Sequence, residues 1–170
     1  MNPNYLITLQ KKNNKFILIG YMDADYGVSL DDRRSTTRYV FFFGSGPISW
    51  GSKKQSITCK STIKLEYCVA TDDVCEAIWL HCIFTNIGIP QNQPTVLYCD
   101  NRSVLKMVRN HVFHECTKCI EIGVHFIYNH VSLHNIQLFY ISTKEQTVDV
   151  FTKSLDSIKF EYIRGFQPLI

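Results

Sequence analysis

The apolar positions change texture along the chain. Before residue 61 they come in short dense runs; after it they recur at helical spacing. "KFILIGYMDA" (15–24), rich in apolar and β-branched residues, reads as a strand. "RYVFFFGSGPISWGS" (38–52) reads as two strands around the turn "GSGP" (44–47), punctuation that suits an antiparallel hairpin. Leu65, Cys68, Cys75, Trp79 and Cys82 then share one helical stripe, which predicts a helix from about Ser61 to Asn86, stopped near Gly88 and Pro90. "PTVLYCDN" (94–101) is a short strand, "RSVLKMVRN" (102–110) the helix after it, and "CTKCIEIGVHFIYNHV" (116–131) a further helix. "IQLFYI" (136–141) closes the strands, and "STKEQTVDVFTKSL" (142–155) opens a last helix, with capping-box spacing at Ser142/Glu145 and Thr143/Gln146. A meander followed by strand–helix alternation predicts an α/β domain, a mixed sheet flanked by helices. No linker, repeat or low-complexity block divides it.

Composition narrows the class. At 170 residues, 45% hydrophobic and 19% charged, the chain is long enough for one domain with a real core. A net charge of +3 argues only weakly for a polyanionic partner. The basic residues nevertheless gather early, in "DDRRSTTR" (31–38) and "SKKQSITCK" (52–60). No apolar stretch has the roughly 18 residues of a membrane span, and the start carries no basic segment followed by an apolar core, so secretion is not expected. Seven cysteines without disulfide-rich spacing predict a reducing, intracellular setting, cytoplasmic or nuclear, with no disulfide partners.

Four acids fall at element ends. Asp23 is near the end of the first strand, Glu66 near the start of the long helix, Asp100 at the end of "VLYCD" and Asp149 in the first turns of the final helix. Ligands of sheets with parallel pairs gather outside the carboxyl ends of strands. Four carboxylates there would repel one another unless hard cations lay between them, and Mg²⁺ takes oxygen ligands. Each acid also has a plain reading. Asp100 could cap the helix starting near Arg102, Asp23 and Asp25 could start a turn, and Glu66 and Asp149 could be surface acids favoured by a helix dipole.

"GYMDADYG", "DDRRSTTRYVFFFGSGPISWGSKKQ", "STIKLEYCVA", "EAIWL", "YCDNRSV", "NHVFHECTKCIEIGVHFI" and "TKEQTVDVFTKSL" occur in one order from about Gly20 to Leu155. The series resembles the ribonuclease H domain of copia-type LTR retrotransposon Pol polyproteins. The resemblance implies a ribonuclease H-like fold with a five-stranded mixed sheet. It implies cleavage of the RNA strand of RNA–DNA hybrids with two Mg²⁺ ions, Mn²⁺ being able to substitute. The metal-holding acids it implies are Asp23, Glu66, Asp100 and Asp149, leaving Asp25 to the turn or outer shell. It also implies a flank at residues 1–14 left from the polymerase connection, the domain at 15–155 and an extension at 156–170, with a reverse transcriptase domain supplied separately. Ser61, Thr62 and Asn101 are candidates for sensing ribose 2′-hydroxyls. Arg33, Arg34, Lys53, Lys54 and Arg102 are candidates for holding phosphates, against the alternative of an ordinary solvated surface.

Some positions depart from the family pattern. Tyr26 stands for tryptophan, Cys119 for histidine, Ser154 for proline, and Arg38 for a glycine whose loss matters if the backbone there needs glycine's freedom. Lys64 replaces a glutamate and opposes the helix dipole, a loss of about 0.3–1 kcal/mol. These departures, and a start close to the domain boundary, keep open a folded but inactive remnant of a truncated reading frame, at most a weak nucleic-acid-binding module. A third reading, a zinc-binding interaction domain built on His111, His114, Cys116 and Cys119, has poor ligand spacing. Those two cysteines, and more strongly Cys68, Cys75 and Cys82, are expected to be small buried hydrophobes.

Overall fold

The structure, a computed structural model, describes residues 17–44, less 26–35, then 46–54, 62–109 and 118–152, with backbone only for 24–25, 62–67, 107, 109, 118–120, 144 and 150. Strands β1 (Leu18–Asp25), β2 (Thr36–Phe43) and β3 (Gly46–Lys54) form the expected meander. Helix α1 (Thr62–Asn86), strand β4 (Thr95–Cys99), helices α2 (Arg102–Arg109) and α3 (Lys118–Ser132) and strand β5 (Ile136–Tyr140) follow, and helix α4 (Val148–Thr152) comes last. The sheet order is β3-β2-β1-β4-β5. β1 pairs antiparallel with β2 and parallel with β4, β2 antiparallel with β3, and β4 parallel with β5.

Alternation along the central strands splits the core in two. Leu18, Met22, Phe41, Phe43 and Leu97 face a large cluster with Val74, Ala77 and Leu80 of α1, Val104 and Val108 of α2 and Ile127 of α3. Ile19, Tyr21, Val40 and Phe42 face the other way, onto Val148 and Phe151 of α4. Three helices therefore cover one face and α4 the other. Gly20 sits where β1 must pass close to its neighbours. A Cβ there would lie 2.5 Å from both Leu97 and Phe41, both fully buried. At the end of α1, Gly88 takes φ 80°, a conformation that suits glycine, and Ile89 N–H closes the turn on Phe84 C=O at 2.8 Å.

Two sequence expectations change. Helix α1 spans nearly the expected residues, but its cysteine stripe is not the packing face: Cys68, Cys75 and Cys82 are exposed, and Trp79 is 55% exposed. Val69, Ala70, Val74, Ala77, Leu80 and Phe84 are buried instead. Apolar residues run round this helix, so spacing alone could not choose between the two faces. The last helix is also broken. Thr143–Glu145 form a single 3₁₀ turn, and the α-helix begins only at Val148. The capping boxes do not form. Ser142 Oγ donates to the Glu145 carboxylate rather than to backbone, and Thr143 and Gln146 turn elsewhere.

Because the Leu97 and Phe41 side chains leave no room beside Gly20, Gly20→Ala is expected to destabilise the fold by about 1–3 kcal/mol, the cost of overpacking. Urea denaturation measures it; an unchanged midpoint would show that the two neighbours can move aside.

Candidate active site

One strand pair sets the first two acids. The parallel pairing of β1 with β4 stops at Met22–Cys99. The residues that follow this last pair are Asp23, still in β1, and Asp100, just past the end of β4. They line one small cavity of about 30 Å³ with Met22, Val69, Ala70, Cys99 and Asn101, room for about one water. Val69 and Ala70 come from α1, and Glu66 lies one turn earlier on the same helical face as Ala70; its side chain lies outside the described residues. Asp149, 3% exposed, is on α4 across the sheet, near Val148, which packs on Ile19 and Tyr21.

Asp100 is not the helix cap. Ser103 N–H donates to Asn101 Oδ1 at 2.7 Å, so Asn101 caps α2 and Asp100 is left to the cavity. Asp100 Oδ2 instead accepts from Thr143 Oγ1 at 3.3 Å. Asp23, buried, faces Arg38 across the β1–β2 ladder, and Arg38 Nη1 reaches its Oδ2 at 3.4 Å. The concern over a glycine-only backbone at Arg38 does not materialise. Position 38 lies in regular strand, and His134 is the non-glycine residue with positive φ among those described. The consequence of an arginine here is electrostatic, since its guanidinium stands against an acid of the site.

The donor set suits a hard cation: Asp23 and Asp100 offer carboxylate oxygens to one cavity, with Glu66 on the helix that walls it. Among the described residues no group of three His, Cys, Asp or Glu is gathered as a metal would need, so a full set requires the Glu66 side chain or movement at Asp149.

Of the basic candidates, Lys53 and Lys54 are exposed on β3, and exposed Arg102 lies over the Tyr140 ring at 4.5 Å. Arg33, Arg34 and Ser61 lie outside the described residues, as do His111, His114 and Cys116 and the side chains of Asp25, Thr62 and Cys119. Asn101 already commits its side-chain oxygen to capping.

Asp73 was missed. It is 1% exposed on the packed face of α1, and neither carboxylate oxygen has a hydrogen-bond partner. It floors a wider cavity of about 330 Å³ between α1 and β2–β3, edged by Tyr39, Lys53 and Trp79. Above it, Ser49 Oγ donates to Glu76 Oε1 at 2.9 Å and ties β3 to the helix. Burial first, and then the charges of Asp72, Glu76 and Asp23, hold the Asp73 carboxyl well above its ordinary 3.8. The signal in the sequence is an aspartate among Val69, Ala70, Val74 and Ala77, masked because the cysteine stripe of the same helix is equally apolar.

The sign of its effect on stability follows. The unfolded chain loses the Asp73 proton from about pH 4 upward while the folded protein keeps it, so rising pH favours unfolding. Melting temperature should fall more steeply above about pH 4 for the wild type than for Asp73→Asn, which has the same shape and no charge to lose. Parallel melting curves across that range would contradict the burial assigned to Asp73.

No family model matches the chain. It is 38% identical over 159 residues to the retrovirus-related Pol polyprotein from transposon RE1 of Arabidopsis thaliana, covering 94% of this chain and 11% of that protein. It is 39% identical over 145 residues to the corresponding polyprotein from transposon TNT 1-94 of Nicotiana tabacum, covering 85% of this chain and 11% of that protein. The chain thus spans about a tenth of the length of these relatives. Among solved structures, LC11-RNase H1 isolated from compost superimposes with a TM-score of 0.56 at 12% identity, over 79% of this chain and 91% of that one. A foamy viral protease-reverse transcriptase in complex with RNA/DNA hybrid gives 0.51 at 15% identity, over 79% and 16%. At such identities the structures speak for the fold, and the polyproteins for descent: the chain is a region of a copia-type retrotransposon Pol polyprotein, folded as a ribonuclease H-like domain.

Proposed function

We propose that this domain cleaves the RNA strand of RNA–DNA hybrids, with Mg²⁺ held by Asp23, Glu66, Asp100 and Asp149. The observation that carries this reading is that Asp23 and Asp100 directly follow the last pair of two adjacent parallel strands and share one cavity. When bound, the metal ions would activate a water and steady the leaving oxygen of a phosphodiester. The chain's own residues hold and orient. Thr143 fixes the Asp100 carboxylate by a hydrogen bond, and burial limits solvent around Asp23 and Asp149. Exposed Arg102, stacked on Tyr140 near the end of β4, is placed to meet a backbone phosphate. Lys106 on the same helix and Lys53 and Lys54 on β3 are also exposed.

Incubating the protein with a labelled hybrid and Mg²⁺ tests the reading. Cleavage is expected from the wild type and none from Asp100→Asn or Asp23→Asn, while Asp25→Asn should only weaken it. A folded wild type that leaves the hybrid intact overturns it, and equal loss from Asp23→Asn and Asp25→Asn displaces the site.

A second reading, a folded domain that does not cut, is favoured by one contact. Arg38 already supplies Asp23 with a cation, which a metal ion must displace. If this competition governs activity, Arg38→Ala should lower the Mg²⁺ concentration needed for half-maximal cleavage, or restore cleavage to a silent wild type. A raised Mg²⁺ requirement in that variant would instead make Arg38 a supporting residue.

A further inference from the structure

Residues 142–147, six of the seven between β5 and α4, hold on to more of the site than their length suggests. Gln146 is 1% exposed, and its Nε2 donates to the Met22 carbonyl at 2.9 Å, a bond across 124 residues of sequence. Met22 is the residue at which the β1–β4 pairing ends, and Asp23 follows it. The amide orientation is forced, because a backbone carbonyl only accepts and only the NH₂ end of the side chain can satisfy it. Three residues earlier, Thr143 Oγ1 donates to the Asp100 carboxylate at 3.3 Å. Three residues later comes Asp149, on a helix that Val148 anchors into the core at 0% exposure. Before the segment, Ile141 N–H donates to Cys99 C=O at 3.0 Å, which fixes its start to the end of β4.

One short segment is therefore bonded through its side chains to the Met22 carbonyl just before Asp23 and to Asp100 itself, and is continuous with the helix that bears Asp149. We propose that residues 142–147 form a clamp that sets the mutual placement of Asp23 and Asp100 and carries the helix bearing Asp149, with Gln146 and Thr143 as positioning residues for a cation held between Asp23 and Asp100. This rests on the metal-site reading above and deepens it. The chemical reason is that a hard cation needs its oxygens at nearly fixed spacing, and groups that orient ligands commonly change metal affinity by about 10–100-fold when removed. Nothing in sequence spacing announces the clamp: the same two residues read as helix-capping partners.

The experiment compares Gln146→Met, similar in volume but with no amide donor, and Thr143→Val, an exposed change that cannot empty the core. In the metal-free protein, backbone amide signals of Asp23 and Asp149 are expected to shift in Gln146→Met. In Thr143→Val the Asp100 signal is expected to shift while that of Asp23 stays. Titration with Mn²⁺, followed by paramagnetic broadening of the same signals, should need about 10-fold more metal in Gln146→Met and less of an increase in Thr143→Val. Lost turnover should return at high Mg²⁺ with KM for the hybrid unchanged. Folded variants with unmoved Asp signals overturn the clamp, whether or not metal binds. A wild type whose signals ignore Mn²⁺ overturns the metal-site reading instead, and the metal-free shifts then still decide the clamp. If Gln146→Met fails to fold, Thr143→Val decides alone, and an unshifted Asp100 signal counts against the proposal.

Discussion

The parallel pairing of β1 with β4 is the constraint on which the rest of the structure depends. It joins the antiparallel meander β1–β2–β3 to the parallel pair β4–β5 and makes one sheet of two different halves. A parallel neighbour requires a crossover, and α1 supplies it, lying on the face made by Leu18, Met22 and Phe41. The pairing also has a defined end. Beyond Met22–Cys99 the two strands part company: β1 continues in partnership with β2 as far as Asp25, while β4 gives way to α2. The gap that opens there is where two carboxylates, a helix wall and a return segment meet. Gly20, in the middle of β1, keeps this strand close enough to Leu97 and Phe41 for the pairing to hold.

Charge is what this architecture has to manage. Burying a carboxylate without a partner is costly, and the fold buries Asp23, Asp73 and Asp149. It deals with them differently. Asp23 gains the Arg38 guanidinium opposite it in the ladder. Asp73 gains no hydrogen bond, and its carboxyl is driven well upward by burial. The pairing at Asp23 is at once a stabilising contact and a competitor for any cation that Asp23 would hold. Elsewhere β3 ties Ser49 onto Glu76 of α1, and α3 approaches α1 so closely at Gly123 that a Cβ there would lie 2.7 Å from Thr71 Oγ1.

Element order, the hairpin, and the span of α1 to within a residue were legible in the sequence, because runs of β-branched and aromatic residues and a long helical repeat are local signals. So was the placement of Asp23 and Asp100 at strand ends, since each directly follows an apolar run. The buried face of α1 was not legible. Cysteine and tryptophan scan as apolar, and only the position of the sheet shows that Val69, Val74 and Ala77 point inward while Cys68, Cys75 and Trp79 do not. The break between Thr143–Glu145 and Val148–Thr152 escaped for a related reason: a capping box and a clamp use the same residue types at the same spacing.

What the sequence determined by itself is therefore the set of elements and the kinds of chemistry they carry: carboxylates at element ends, basic residues early, cysteines without a disulfide pattern. What only the tertiary structure decided is which of those groups face one another. Arg38 opposite Asp23, Gln146 beneath Met22 and Thr143 against Asp100 are contacts between residues far apart in the chain. They depend on strand register and on which side of the sheet each helix packs. Periodicity fixes a side chain's direction within its own element; its partner is fixed only when a second element is brought against it.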